Sequence, residues 1–270
     1  MKISFSKYHG TGNDFVMIDN RELKVNTDLP NFYERLCHRR FGIGADGVIF
    51  LQNHPNYDFE MIYLNADGHP TSMCGNGGRC ITAFANQLGV EAKEVGMFTF
   101  LAIDGLHKGA IDENGRVSLK MNDVKEVEDW KGDCVLDTGS PHYIQFVEDV
   151  TVIDVFSEGR GIRNQERFRK AGINVNFVQR FEEGIEVATY ERGVEDETFS
   201  CGTGVVAASI ATIVRSQSNA GKYDMEIQTK GGKLNVAFEQ TREGYFCNVW
   251  LKGPAIQVFD GEFDYFNEKH

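Results

Sequence analysis

One short pattern, Cys-Gly-x-Gly, occurs twice in this chain and constrains the fold more than anything else in it. The first copy is Met73-Cys74-Gly75-Asn76-Gly77-Gly78-Arg79, running into Ile81–Leu88. The second is Ser200-Cys201-Gly202-Thr203-Gly204, running into the apolar segment Val205–Val214. A polar, glycine-bearing turn that feeds small and apolar residues is how a buried helix begins. A thiol at such a start faces unpaired backbone N–H groups and the positive end of the helix dipole. Both effects lower a thiol's pKa and make thiolate available at neutral pH. The copies stand 127 residues apart (positions 74 and 201) in a chain of 270, one in each half.

The segments around the two copies follow a common plan. Residues 2–7 alternate as a strand, Tyr8–Asp14 form a glycine-rich loop, and Phe15–Ile18 resume a strand. Gly10 and Gly12 there suit either a close backbone approach to a ligand or a plain hairpin turn. Asp28 can cap a helix with Pro30 in its first turn, Phe32 and Leu36 on one face, and an end near Gly42. Strands are expected at 48–51 and 59–64, with a turn at Asn65–Gly68, then the first Cys-capped helix, ending at Gly89. Strands at 97–103, 107–111 and 117–121 follow. In the second half, a strand at 143–147, a charged helix at 154–172 and strands at 173–178 and 185–190 lead to the second Cys-capped helix. Further strands follow at 225–229, 233–238 and 245–251. The charged stretch 123–133 reads as a linker between the halves. The expected class is therefore α+β with internal duplication: two pseudo-symmetric domains, each with mainly antiparallel strands wrapped around a central helix. The expected boundaries are 1–122, carrying Cys74, and 123–255, carrying Cys201.

Gly42-Ile-Gly44-Ala-Asp-Gly47 matches the dinucleotide fingerprint G-x-G-x-x-G in letters alone. It follows a helix and precedes a strand, the reverse of the order that fingerprint requires, so a dinucleotide site is rejected. The formal net charge of −12, with no Lys/Arg stripe, argues against a nucleic-acid partner. The longest apolar run is too short to span a bilayer, and no signal-peptide pattern opens the chain, so no membrane partner is expected. Six cysteines without C-x-x-C or zinc spacing point to free thiols, no metal and a cytoplasmic setting.

One cysteine at a helix start can be a buried, inert thiol, and Cys80, inside its helix, reads that way. Two at matching points of a duplicated plan suit a different task. If the halves face each other across a pseudo-twofold axis, the thiols converge and a carboxylate can be held by helix-terminal amides. Such a site can remove a proton from one face of a carbon and return one to the other. A structural disulfide is the competing reading. No Schiff-base lysine context or metal spacing offers another electron sink, so the expectation is cofactor-free deprotonation and reprotonation.

The motifs His9-Gly-Thr-Gly-Asn13-Asp-Phe15, Gly42-Ile-Gly-Ala-Asp-Gly47, Asn65-Ala-Asp-Gly68, Cys74-Gly-Asn-Gly77, Ser140-Pro-His142, Tyr190-Glu-Arg-Gly193 and Cys201-Gly-Thr-Gly204 span nearly the whole chain. In them the sequence resembles the diaminopimelate epimerase family. The resemblance implies an enzyme that interconverts LL- and meso-2,6-diaminopimelate without a cofactor, with Cys74 and Cys201 as the two acid/base residues. It implies substrate binding by Asn13, Asn65, Asn76, Asn174, Glu191 and Arg192 and by backbone groups at Gly75, Gly202 and Thr203. His142 and Glu191 would influence the thiols, the 256–270 tail would pack on the first domain, and a homodimer is a possible assembly. The substrate is a small amino acid. Two positions depart from the familiar pattern: Gly47, where some members carry Gln, and Ser140, where many carry Asn. Proline- and histidine-type racemases share the fold and paired thiols, although the former usually show His at the position of Asn76. A binding protein with inactive thiols is the alternative from another class.

Overall fold

In a computed structural model, which describes residues 1–265, the chain divides into two units: Met1–Leu119 with the segment from Pro254, and Lys120–Gly253. The first unit opens with a hairpin, β1 (Lys2–Gly10) and β2 (Asn13–Asp19). The strands run to the turn itself, so the expected glycine loop is a two-residue turn. Thr11 and Gly12 have φ of 51° and 91°, the sign that primed hairpin turns need. Helix α1 (Pro30–Cys37) crosses over to β3 (Gly47–Gln52), which lies parallel to β2. Leu29, not Asp28, stands at its N-cap, because Pro30 takes the first helical position. The helix ends at Cys37, before Gly42. β4 (Phe59–Asn65) returns antiparallel to β3, and α2 (Gly75–Gln87) crosses to β5 (Phe98–Ala102), parallel to β4. β6 (Gly105–Ile111) and β7 (Val117–Lys120) complete an antiparallel meander. As the sequence order required, β3 follows the glycines of 42–47, and no helix does.

The second unit repeats this plan. β8 (Val127–Trp130) and β9 (Asp133–Asp137) form a hairpin where a linker was expected, because Lys131 and Gly132 both accept positive φ. β10 (Pro141–Val147) pairs antiparallel with β9. Helix α3 (Val155–Arg163) leads to β11 (Asn174–Phe181), parallel to β10. It is half the expected length, and turns fill 164–172. β12 (Gly184–Glu191) runs antiparallel to β11 and is followed by the short β13 (Asp196–Thr198). α4 (Gly202–Arg215) then crosses to β14 (Gly221–Thr229), parallel to β12. β15 (Gly232–Gln240) and β16 (Phe246–Gly253) close the meander. The sequence of parallel and antiparallel steps thus matches the first unit's, which is the α+β duplication read from the sequence. One strand breaks the order of the chain: β17 (Ile256–Asp264) returns to pair with β1, from Lys2 opposite Asp264 to His9 opposite Ile256. It stands beside β1 as β8 stands beside β9. Of the tail expected on the first unit, 266–270 lie outside the described residues.

Helix α4 explains its own position. Eleven of its residues are buried, including Val205–Ile213 without a break, so it is apolar on every side. Its β-branched residues are modest helix formers, and burial supplies what propensity does not. Ser209 and Thr212, also buried, return their hydroxyls to the carbonyls of Val205 and Ala208 at 2.8 and 2.7 Å. Strands β9–β12 and β14–β16 all touch it. In the first unit α2 plays this part and packs on β1, β2, β3 and β6.

Candidate active site

Cys74 is the N-cap of α2, with φ −101° and ψ 153°, and its Sγ accepts the amide of Gly77 at 3.2 Å. A serine or aspartate in this role satisfies an orphan donor with oxygen; here sulfur does so, and the bond favours thiolate. Asn13, the first residue of β2, brings its Oδ1 within 3.8 Å of Cys74 Sγ and 3.3 Å of Asn76 Nδ2. Its Nδ2 donates to Asp46 Oδ2 at 2.7 Å. Asp46 belongs to an ionic cluster in which Arg39 bridges it and Asp14 at 2.6 and 2.7 Å, while Lys7 reaches Asp14 at 2.8 Å. Burial raises the Asp14 carboxyl, but its bonds to Arg39 and Lys7 outweigh that and bring it down to about 2. Cys74, Asn13, Asn76 and Gly75 therefore form one group, as the sequence suggested. Asn65 ends β4 opposite Gly47, with its side chain exposed.

Gly47 is not a gap in this unit. A Cβ there would come 2.5 Å from the Leu64 carbonyl oxygen and 2.6 Å from the Tyr63 ring. The space a longer side chain would need is already filled by the neighbouring strand, so no water or distant residue has to replace it.

In the second unit Cys201 caps α4, with φ −112° and ψ 113°, and its Sγ lies 3.4 Å from Thr203 Oγ1. Gly204 allows the close approach of β11: a Cβ on it would meet Asn176 Oδ1 at 2.4 Å. Asn176, which the sequence reading left without a role, organises this side. Its Nδ2 donates to His142 Nδ1 at 3.1 Å and to the Tyr143 carbonyl at 3.2 Å, and its Oδ1 accepts from Thr189 at 2.9 Å. Only its place two residues after Asn174, on the same strand face, could have signalled this. With Nδ1 accepting, His142 carries its proton on Nε2, a buried nitrogen with no hydrogen-bond partner. Burial, and secondarily the charge of Arg192, push His142 down to about 3, so it is neutral at physiological pH.

Asn174 joins Ser140 and Arg192. Its Nδ2 donates to Ser140 Oγ at 2.9 Å and to the Pro141 carbonyl at 3.1 Å, and its Oδ1 accepts the Arg192 amide at 2.9 Å. Arg192 Nη2 also donates to Ser140 Oγ at 3.3 Å. The serine thus serves two partners with one hydroxyl. Glu191 accepts from Thr198 Oγ1 at 3.0 Å. The strand registers place Asn174 at the point of β11 where Gly47 stands on β3, and Glu191 on β12 where Asn65 stands on β4. All six cysteines are free thiols. Among the described residues no cluster of three or more His, Cys, Asp or Glu side chains could hold a metal.

The duplicated α+β plan, with a cysteine capping each central helix, has close counterparts among solved structures. A phenazine biosynthesis protein of the PhzF family from Bacillus anthracis superposes with a TM-score of 0.76, at 13% identity, covering 98% of this chain and all of that one. A hydroxyproline epimerase from Agrobacterium vitis superposes at 0.66, again with 13% identity, over 97% of this chain and 92% of its own. At that identity the likeness defines a fold class, the one shared by these proteins. Sequence narrows it. The diaminopimelate epimerase family model matches residues 5–125 and 134–256. A diaminopimelate epimerase of Flavobacterium psychrophilum is 48% identical, over 94% of this chain and 97% of that protein. One of Aquifex aeolicus is 36% identical, over 96% and 97%. The chain belongs to the diaminopimelate epimerase family.

Proposed function

We propose that this protein is a diaminopimelate epimerase, an isomerase that interconverts LL- and meso-2,6-diaminopimelate in lysine and peptidoglycan precursor synthesis, by two-base chemistry without a cofactor. The observation that carries the reading is the family membership over nearly the full chain, joined to a cysteine retained at both helix N-caps. In the forward step one thiolate takes the α-proton as the C–H bond breaks, and the electron pair delocalises into the α-carboxylate. The other thiol then delivers its proton to the opposite face of the same carbon. Thiol and thiolate have exchanged places, and no electrons leave the system. Amides at Gly75, Asn76, Gly202 and Thr203 are oriented to stabilise charge that grows on the carboxylate. Asn13, Asn65 and Asn76 are assigned to the substrate in the first unit, and Asn174, Glu191 and Arg192 in the second. Arg192 suits the distal carboxylate because a guanidinium forks both oxygens, and Ser140 and Asn174 already hold it in place. His142 and Glu191 are assigned to tuning the thiols. The free thiols support a cytoplasmic setting.

The test is incubation with LL-diaminopimelate in D2O, with mass spectrometry of the product. Meso product carrying one deuterium at Cα is expected, whereas a binding protein would exchange none. Cys74→Ala and Cys201→Ala should each lower kcat by at least about 10³-fold, in the range of a lost acid or base. Cys37→Ala, Cys134→Ala and Cys247→Ala should stay near native. Full activity in either of the first two variants would overturn the two-base reading.

A further inference from the structure

Arg79 has no exposed surface, and every acceptor it uses is neutral. Its Nε donates to the Pro254 carbonyl at 3.2 Å and its Nη1 to the Gly75 carbonyl at 3.0 Å. Its Nη2 donates to Thr11 Oγ1 at 3.2 Å and to Asn76 Oδ1 at 2.8 Å. A buried guanidinium is normally paired with a carboxylate, because an isolated charge is costly to remove from water. None of the ion pairs among the described residues includes Arg79. Burial pushes its pKa down to about 10, opposed by the Cys80 and Cys74 thiols, so the side chain keeps its charge at neutral pH. Cys80 is itself buried and its thiol pushed far up, which leaves it neutral.

The arrangement is directional. A guanidinium can only donate, so Asn76 must turn Oδ1 toward Arg79 and Nδ2 toward Asn13. A carboxylate can only accept, so Asn13 must turn Nδ2 toward Asp46 and Oδ1 toward Asn76 and Cys74. Two amides that could otherwise flip are held by a cation at one end and an anion at the other. The β1–β2 turn is seated on the same group. Thr11 is a β-branched residue at φ 51°, a conformation that persists only when its surroundings enforce it. A Cβ on Gly10 would lie 3.0 Å from Arg79 Nη2 and 3.1 Å from the Asn76 carbonyl.

Within this unit, the charged and titratable groups around Cys74 are Arg79 and Cys80 on α2 and, through Asn13, Asp46 with Asp14, Lys7 and Arg39. Those last four are two cations and two anions in mutual contact, so Arg79 is the charge left unbalanced. The second helix has no counterpart. Five residues after Cys201 stands Val206, fully buried, and Thr203 takes the place of Asn76.

We propose that Arg79 is a positioning residue that makes Cys74 the more readily ionised of the two thiols and fixes the Asn76 and Asn13 amides around it. This deepens the reading of Cys74 as an acid/base residue, yet its test does not depend on the substrate. The full-length protein is treated with iodoacetamide across pH 5–10, and the rates at Cys74 and Cys201 are separated by peptide mass spectrometry. In the native protein the Cys74 midpoint should lie below that of Cys201; equal or reversed midpoints would overturn the proposal whatever the variants do. Arg79→Gln should raise the Cys74 midpoint by about one pH unit while leaving Cys201 within a few tenths. Arg79→Lys, which keeps charge but not the fork, should hold the Cys74 midpoint near native and raise KM for diaminopimelate several-fold. A folded Arg79→Gln protein, judged by circular dichroism, in which neither midpoint moves or both move together, would leave Arg79 a structural residue only. Absence of epimerase activity alongside the expected midpoints would overturn the functional assignment and not this inference.

Discussion

His142 is neutral because water is excluded from it, and that has a consequence for acid stability. Its pKa is about 3 in the folded protein against an ordinary 6.5. Below pH 6.5 the unfolded chain binds a proton there that the folded chain does not, so unfolding takes up a proton. Its contribution to stability is therefore complete above about pH 6.5 and declines as pH falls toward 3. Denaturant unfolding of native protein and of His142→Gln at pH 7 and pH 4.5 checks this. The native protein should lose more stability on acidification than the variant; equal losses would show that His142 is not the group responsible. The same residue bears on catalysis, since an imidazole with this pKa supplies no limb to a pH–rate profile near neutrality. Any limb there belongs to the thiols.

At the level of elements, the two central helices are held by contacts with no tolerance for added volume. α4 meets β11 where Gly204 faces Asn176, and a methyl group would intrude to 2.4 Å from Asn176 Oδ1. Asn176 cannot give way freely, because its amide also holds His142, Tyr143 and Thr189. Gly204→Ala should therefore destabilise the protein by about 1–3 kcal/mol, the usual cost of overpacking. It should also disturb His142, so activity should fall by more than the loss of folded protein explains. Urea unfolding with kinetics on the folded fraction tests both, and a variant of native stability would show that β11 can retreat. Ser140 belongs to this scale as well: it joins Asn174 on β11 to Arg192 beyond β12, so the shorter residue preserves the connection.

For the whole molecule, the strand that joins last is also the one that offers a surface. β17 pairs with β1 and leaves Ile256, Val258 and Phe259 about half exposed. Apolar side chains in a row along an outer strand are a hazard unless something covers them. We infer that a second copy of the chain covers β17 in a homodimer. Light scattering should give twice the chain mass, and Val258→Lys should return it to the monomer mass with an unchanged far-ultraviolet spectrum. A monomeric native protein would rule this out. Among the described residues no helix is long and apolar enough to cross a membrane.

Much of this was legible in the sequence because it is locally encoded. A thiol followed by glycines and then small apolar residues starts a buried helix wherever it stands, so Cys74 and Cys201 could be placed as caps from spacing alone. Strand order and the duplication followed from periodicity and turn residues. Where local signals competed, the reading erred: Pro30 overrode Asp28 as the start of α1, and Lys131-Gly132 folded a charged stretch into a hairpin. What only the tertiary structure decided is what each polar side chain meets. The seating of Thr11 on Arg79, the bond from Asn176 to His142, the filling of Gly47 by Tyr63 and Leu64, and the pairing of β17 with β1 all join residues far apart in the chain. Such contacts leave no period in a sequence. They are fixed by the requirement that every buried donor, acceptor and charge find a partner once the strands have closed around each helix.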